Sequence, residues 1–221
     1  MLEKLILCIT LIVLMFFTSN AQVKEDGFFI DVHGAYNSVG NGFDGERALI
    51  AQDDVFAVPN FDSGIGFGLT IGFRHEEWYT ELAYQRTEHD FIWAGVKGDA
   101  VHSIWSVNVR RLFFKDSKLQ PFLQLGWIPV MPIRVHEGAL LVSQNISSDA
   151  IFIGSIANFN AGGGIEIVVR SKISVRLSIL YKRARYVSVE SSEENVAIEL
   201  EKEIKADDFN MTLGVIFVLY Q

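Results

Sequence analysis

The chain between residues 209 and 221 alternates between two kinds of side chain. Every second position is large and apolar, and these positions are Phe209, Met211, Leu213, Val215, Phe217 and Leu219. The intervening positions begin small or polar, with Asn210, Thr212 and Gly214. A period of two predicts a β-strand, and a large apolar face opposite a small polar face is typical of barrels that have lipid outside.

The same alternation recurs in seven further segments. The eight predicted strands are residues 28–36, 65–74, 78–86, 102–114, 119–127, 158–169, 173–182 and 209–221. Each is near the length of about 9–11 residues with which a tilted strand crosses the apolar layer of a bilayer. The three short connections are 75–77, 115–118 and 170–172. The four long connections are 37–64, 87–101, 128–157 and 183–208.

Short and long connections therefore alternate strictly along the chain. This order is typical of membrane barrels with short periplasmic turns and long outer loops. We predict an all-β fold class: an eight-stranded antiparallel up-and-down transmembrane β-barrel with short periplasmic turns and long extracellular loops. An even number of strands places both termini in the periplasm. The opposite polarity, apolar within and polar without, would favour a soluble barrel of the lipocalin type, and the small polar inner faces argue against it.

Aromatic residues of the lipid-facing set lie near the two ends of the strands. Near the short turns are Phe28, Phe73, Trp78, Phe113 and Phe217. Near the long loops are Tyr36, Tyr84, Trp105, Trp127, Tyr181 and Phe209. Because aromatic rings prefer the two boundaries between lipid and water, we predict two aromatic girdles.

The front of the chain predicts export. Lys4 precedes an apolar run over residues 5–17, and Ser19 and Ala21 are the small residues that signal peptidase requires. The run is too short for a membrane-spanning helix, which needs about 20 residues. We therefore predict a cleaved signal peptide at 1–21 and a barrel domain at 22–221. The net charge of −8 argues against nucleic acid as a partner.

Two stretches resemble known barrels. The segment IWSVNVRRLFF (residues 104–114) is followed by a short polar turn and QPFLQLGW (120–127), and GGGIEIVV (162–169) precedes another tight turn. Both are similar to hairpins of small outer-membrane β-barrel proteins of the OmpA/OmpX-like group, which includes small porin-family barrels of Gram-negative bacteria. The resemblance covers the whole mature chain. It implies an outer-membrane location, contact with outer-membrane lipid and insertion by the outer-membrane assembly machinery.

One departure from that group is the terminal Gln221, where such barrels commonly end in an aromatic residue. We expect Tyr220 and Phe217 to supply the assembly signal instead. We also expect a monomer.

Charged residues are predicted on the inner faces of six strands. They are Asp31, Arg74, Glu81, Arg110, Glu166 and Arg176. Buried ions are tolerated when they are paired, and the planar guanidinium of arginine can bind two carboxylates. Since side chains fill an eight-stranded barrel, these residues are predicted to form a plug that fixes strand register and blocks the lumen. The alternative is a gate whose ion pairs exchange partners and open a narrow pore for small solutes.

Enzyme activity is not predicted, and no catalytic residue is assigned. His102 and Ser106 share a strand face, but a spacing of four residues is too long for a direct hydrogen bond. His33 shares a face with Asp31 and has no obvious serine partner. A base within reach of a nucleophile is therefore not found.

Metal and cofactor sites are also not predicted. The loop pairs His89–Asp90 and His136–Glu137 lack a closed ligand set. Cys8, the single cysteine, lies within the predicted signal peptide, so a mature chain would have no thiol for a disulfide or a thiolate site.

The long connections carry the remaining functional signal. Residues 128–157 are apolar for an exposed segment, so they are expected to pack on themselves or to bind a partner. Residues 196–205 alternate, which predicts a hairpin above the membrane with Arg183 and Arg185 paired to glutamates. We expect a non-enzymatic role in envelope integrity or in surface interaction with an unidentified extracellular ligand.

Overall fold

A computed structural model describes residues 26–43, 47–49, 55–93, 96–136, 140–141, 146–147, 149–191 and 197–220. The predicted signal peptide and Gln221 lie outside the described residues. A 3-10 turn spans Asn41–Phe43. In chain order the strands are β1 (Gly27–Ser38), β2 (Arg47–Leu49), β3 (Val55–Ala57), β4 (Asn60–Phe61), β5 (Gly64–His75), β6 (Trp78–Trp93), β7 (Val96–Leu112), β8 (Leu119–Val130), β9 (Ile133–Val135), β10 (Leu140–Leu141), β11 (Ile146–Ser147), β12 (Ala150–Gly154), β13 (Asn158–Arg170), β14 (Ile173–Arg183), β15 (Arg185–Ser191), β16 (Ala197–Lys205) and β17 (Asp208–Tyr220).

Eight of these strands close into an antiparallel barrel. Their order is β1–β5–β6–β7–β8–β13–β14–β17, and β17 pairs back onto β1. Each barrel strand pairs with the barrel strands that precede and follow it along the chain, so the topology is up-and-down. Closure pairs strand edges that would otherwise be exposed. The predicted eight-stranded antiparallel up-and-down barrel is confirmed.

The outward face of the barrel is apolar, with exposed large hydrophobic residues on every barrel strand. Leu213, for example, is 57% exposed. Ring pairs border this belt: Phe28 and Phe73 lie 5.1 Å apart beside the short turns, whereas Tyr84 and Trp105 lie 4.9 Å apart nearer the long connections. Such a belt between two rows of rings fits lipid. In the part of the chain that the structure describes, no helix is long and apolar enough to cross a membrane.

Two barrel strands are longer than predicted. The connection predicted at 87–101 is largely strand, because β6 continues to Trp93 and β7 begins at Val96. The alternation persists with reversed polarity: Phe91 is buried, whereas Glu88 is exposed. An apolar outer face suits lipid and an apolar inner face suits water, so such a reversal of polarity does not require a break in the strand.

Above the long-loop end of the barrel, a second region is built around an apolar core. We call it the cap. It comprises the Asn41–Phe43 turn, β4, the halves of β6 and β7 that lie away from the short turns, and β9, β12, β15 and β16. Its sheet has the order β16–β15–β12–β9–β7. Its core residues include Phe43, Phe61, Phe91, Trp93, Ile133, Val135, Phe152, Tyr186, Val189 and Ile204.

Among the described residues of the connection at 128–157, this core contains Ile128, Met131, Ile133, Val135, Ala150 and Phe152. Phe152 lies 5.3 Å from the ring of Phe43, which in turn lies 5.1 Å from Tyr186. These rings come from three different connections, so one core joins them. The expectation that this connection packs on itself is therefore met only in part, because its buried residues share their core with two other connections.

The hairpin predicted in the last long connection is confirmed as β15 paired with β16, but its predicted arginine–glutamate pairs are wrong. Arg185 lies opposite Lys205 across the strands. Its guanidinium contacts Asp207 instead. The guanidinium of Arg183 lies 5.7 Å from the ring of Phe159 on the outer face of the barrel. A period of two identified the strands, but it could not fix the register between them.

Candidate functional site

The lumen begins, at the short-turn end, with an apolar layer. It contains Phe29, Tyr79, Leu112, Phe122, Ile216 and Val218, all buried. Phe29 and Tyr79 meet edge to face with ring centres 5.0 Å apart. The sequence predicted small or polar residues inside the barrel, and this layer departs from that expectation. It excludes water from the end of the lumen, so polar groups above it must find protein partners.

A chain of buried ion pairs lies on this layer. Arg110, fully buried on β7, contacts Glu81 on the neighbouring β6. Its Nη1 lies 3.3 Å from Oε2 of Glu166 on β13. The Tyr79 hydroxyl donates to both carboxylate oxygens of Glu166, at 3.1 and 3.2 Å, and the Ser174 hydroxyl donates to Oε1 at 2.8 Å. Glu166 is therefore held by three residues on three other strands.

Arg176 on β14 continues the chain across the lumen. Its Nη1 lies 3.1 Å from Oε1 of Glu81, and its Nη2 contacts Asp31 on β1. His33 Nδ1 lies 3.7 Å from the other oxygen of Asp31. The contacts thus run Asp31–Arg176–Glu81–Arg110–Glu166, and we call these five residues the lumen network. Each arginine bridges two carboxylates, which is the arrangement that its planar fork favours.

Arg74, the sixth residue predicted for this ring, lies apart from the lumen network. Its Nε donates to the Glu76 backbone carbonyl at 3.2 Å and lies 3.8 Å from Oδ1 of Asp26. Its guanidinium lies 5.7 Å from the Tyr79 ring. Arg74 is the next-to-last residue of β5, two residues before the turn, and this position places it at the rim. Alternation correctly put Arg74 inside, but it carries no information on depth.

Small residues make room for the lumen network. At Gly214, a Cβ atom would lie 2.5 Å from Oδ1 of Asp31 and 2.6 Å from Cβ of His33. Any side chain at this position would therefore displace one end of the network. Tyr79 and Ser174, which the sequence analysis did not select, lie at the same strand parity as Glu81 and Arg176. That parity is the signal that could have found them.

Uncharged polar side chains form the next layer towards the cap. Gln85 and Asn210 exchange two amide hydrogen bonds, at 3.1 and 2.8 Å. Asn160 donates to Asn108 at 2.9 Å. Between them lies a cavity of about 40 Å³. A space of this size holds only a few water molecules.

The polar lumen ends beneath the cap at a buried histidine. His102 Nδ1 lies 3.1 Å from Nδ2 of Asn37, and its Nε2 lies 3.3 Å from the Tyr186 hydroxyl. Lys182 Nζ donates to Oδ1 of Asn37 at 3.5 Å. Burial lowers the pKa of His102 well below its ordinary value of 6.5, and the positive charge of Lys182 acts in the same direction. The cap core lies directly beyond, so packed apolar side chains close the polar lumen at both ends.

The residues considered for catalysis or for metal binding have other partners. The Ser106 hydroxyl accepts a hydrogen bond from Asn108 at 3.0 Å, and both ring nitrogens of His102 are engaged as described above. His136 pairs with Asp149 at 3.0 Å in the cap. Among the described residues, no group of three or more histidine, cysteine or acidic side chains is placed to hold a metal ion.

Comparison with known proteins identifies the fold. Neisserial surface protein A is 12% identical, covering 87% of this chain and 97% of its own, with a TM-score of 0.56. The outer-membrane protein OprG from Pseudomonas aeruginosa is 16% identical, covering 90% of this chain and all of its own, with a TM-score of 0.59. No protein-family model and no curated protein sequence matches. The resemblance to small outer-membrane β-barrels is confirmed as a likeness of fold.

Proposed function

We propose that the protein is an integral outer-membrane β-barrel whose own side chains close its lumen, and that it acts without catalysis by presenting the cap at the cell surface. The observation that carries this proposal is the reversal of polarity along one continuous strand pair. Where β6 and β7 form the barrel, their outer faces are apolar; where they enter the cap, their inner faces are apolar. A molecule built in this way fits lipid at one level and water at the next.

The orientation is part of the proposal. The turns at residues 76–77, 115–118 and 171–172 are small, whereas the opposite end carries a folded region with its own core. Small outer-membrane barrels have short periplasmic turns and long extracellular connections. We therefore assign the cap to the outside of the cell and the short turns to the periplasm. Interaction with an extracellular partner requires that placement.

The structure of the lumen supports a closed barrel rather than a channel. The lumen network is buried, the apolar layer closes one end, and the cap core lies over the other. An ion passing through would have to displace paired charges and packed rings. The lumen network therefore acts as a plug that also holds strands β1, β6, β7, β13 and β14 in register.

Location and orientation can be tested together. Detergent-extracted protein from the outer-membrane fraction should migrate as a compact band before boiling and as a slower band after it. A peptide tag inserted after residue 194, between β15 and β16, should bind antibody on intact cells. The same tag after residue 171, between β13 and β14, should bind only after permeabilisation. Unchanged migration on boiling, a soluble location, or the reverse pattern of tag access would contradict the proposal.

A narrow gated pore is the second candidate function. It is favoured by Arg176, which already contacts the two acids Asp31 and Glu81 and so has alternative partners within reach. The wild type and Arg110→Ala should be compared in planar bilayers. A plug predicts no discrete conductance from the wild type. Regular conductance steps from the wild type, altered by Arg110→Ala, would support the pore.

A further inference from the structure

A groove lies on the outer face of the molecule where the barrel meets the cap. It has a volume of about 230 Å³ and is lined by Arg86, Val101, Ser103, Pro132, Arg134 and others. Both arginines are exposed, whereas Val101 and Ser103 are half-buried. The lining residues with a permanent positive charge are the two arginines. The groove is thus cationic at its sides and partly apolar on its floor.

Paired strands hold the two arginines at fixed positions. Arg86 on β6 lies opposite Ser103 on β7, and Val101 on β7 lies opposite Arg134 on β9. The arginines therefore project from the two strands that flank β7. The Ser103 backbone N–H donates to the Pro132 carbonyl at 3.1 Å, so the hydrogen bonding between these segments continues to the barrel side of the groove. Because strand pairing already fixes the backbone of these residues, less conformational entropy is lost when a ligand binds.

The groove lies immediately above the aromatic boundary of the lipid-facing belt. Arg86 follows Tyr84 by two residues, and Ser103 precedes Trp105 by two residues on the antiparallel neighbour. Two residues of strand correspond to roughly 7 Å. Rings at a membrane boundary mark the level of the lipid headgroups, so Arg86 lies at or just beyond that level. Arg134, which lies opposite Val101, is two residues of strand farther from the rings.

The chemistry of the groove suits a phosphate. Guanidinium groups bind phosphate with two parallel hydrogen bonds, and a serine hydroxyl can donate a third. Arg86 Nη2 is 3.4 Å from Oε1 of Glu88, but both side chains are exposed and such a pair contributes little to stability. At the far edge, His136 is paired with Asp149 at 3.0 Å. An incoming phosphate can therefore recruit Arg86 at small cost.

We propose that this groove binds the phosphate of an anionic lipid in the leaflet that surrounds the cap, a role that rests on the membrane location proposed above. The level of the groove carries the argument for a lipid over a soluble phosphate. Arg86 and Ser103 line the groove two residues beyond the boundary rings of Tyr84 and Trp105, so a lipid whose phosphate bound there would have its acyl chains beside the lipid-facing belt. A bound lipid would fasten the cap to the membrane at one side of the barrel.

The test is native mass spectrometry of the full chain, first inserted into phosphatidylcholine vesicles that contain phosphatidic acid and then released in mild detergent. The wild type should retain phosphatidic acid in preference to phosphatidylcholine. Arg86→Gln with Arg134→Gln should weaken that retention about tenfold, as expected for loss of charge-assisted hydrogen bonds. The matched control is Arg183→Gln with Lys205→Gln, which removes the same charge from exposed positions at the same end of the molecule, away from the groove.

The outcomes distinguish a failure of the proposed lipid site from a failure of the proposed membrane location. An inserted, heat-modifiable chain that retains no phosphatidic acid would overturn this site alone. An equal loss of phosphatidic acid in the control variant would mean that the lipid is attracted by positive charge in general, and it would also overturn this site. Displacement of the lipid by millimolar inorganic phosphate would point to a soluble ligand and overturn the lipid assignment. A chain that does not enter vesicles at all would overturn the proposed function, and this site with it.

Discussion

The barrel and the cap share two strands but have opposite polarity. In the barrel part of β6, Leu82 is exposed and Glu81 is buried. A few residues further along the same strand, Glu88 is exposed and Phe91 is buried. The backbone alternates without interruption, so the difference comes from the surroundings of the strand. Lipid outside requires an apolar outer face and allows a polar lumen, whereas water outside requires an apolar core.

The two regions should therefore be held together by different forces. In the barrel, the outward apolar side chains contact lipid and do not select one arrangement of the lumen. Paired charges and hydrogen bonds hold the lumen side chains in place. In the cap, burial of apolar side chains away from water supplies the stabilisation. Matched substitutions on the two sides of the boundary can test this contrast.

The largest effect is expected from Arg110→Met. This change leaves Glu81 and Glu166 buried without the guanidinium that bridges them, and breaking such a pair costs about 3–5 kcal/mol. The neighbouring Arg111→Met is the control, because Arg111 is 50% exposed and lies 3.5 Å from Glu77, an arrangement that contributes about 0–1 kcal/mol. Urea unfolding in detergent micelles, monitored by the loss of the heat-modifiable gel band, gives the unfolding free energy of both variants. Similar losses of unfolding free energy for the two variants would contradict a stabilising role for the lumen network.

The next effect is expected from a charge on the outer face. Leu213→Arg places a guanidinium in the lipid-facing belt and should cost about 2–4 kcal/mol if Leu213 lies near the midplane. Glu199→Arg, on an exposed position of β16 in the cap, should change stability by less than about 0.5 kcal/mol. The same unfolding measurement applies. A near-neutral Leu213→Arg would show that this face does not contact lipid.

Acid should loosen the cap through two buried histidines at its junction with the lumen. His89 and His102 lie beyond Tyr84 and Trp105, outside the membrane-spanning part, and burial lowers the pKa of both from the ordinary 6.5. The unfolded cap binds their protons more readily, so the contribution of each histidine is complete above pH 6.5 and decreases below it. The slope is about 1.4 kcal/mol per pH unit for each histidine that is protonated only on unfolding.

Limited proteolysis of the membrane-inserted protein at neutral and mildly acidic pH measures this loosening. Cleavage within the cap should increase on acidification while the barrel fragment remains heat-modifiable. His102→Gln should reduce the dependence on pH, because one titrating group is removed. Protection that stays constant down to about pH 5 would contradict the expected sign.

The smallest effect should come from removing one methyl group. Ile133→Val creates a small cavity in the cap core, where Ile133 is 1% exposed, and should cost about 0.5–1.5 kcal/mol. Ile179→Val changes an outward barrel residue that is 51% exposed, and lipid chains can fill the space. Its effect should be close to zero. Unfolding midpoints of the two variants make the comparison, and a larger loss for Ile179→Val would reverse it.

Alternation predicted the barrel well because a period of two is a local property of the chain. It gave the eight barrel strands and placed Asp31, Glu81, Arg110, Glu166 and Arg176 inside. Alternation alone does not give depth, so it grouped Arg74 with the other five charged residues although the predicted turn at 75–77 follows it directly. It also could not pair Arg176 with Asp31 and Glu81, since those contacts cross the lumen between strands that are not neighbours.

The cap was harder to predict for a related reason. Its core joins Phe43, Phe152 and Tyr186 from three separate connections, so no local pattern reports their contact. Thr87 to Trp93 continue the alternation of β6, but the polar outer residues resemble those of a loop. The sequence records the boundary as a change in the outward residues of β6, which are charged from Arg86 to Asp90.

The length of β6 and β7 has a consequence for immune recognition. These strands have 16 and 17 residues, and each runs without a break from a short turn into the cap. An antibody that meets this end of the molecule encounters side chains fixed by strand pairing, drawn from segments far apart in the sequence. Its epitope is conformational, so peptides copied from residues 87–104 should raise sera that bind the denatured chain and ignore the native one.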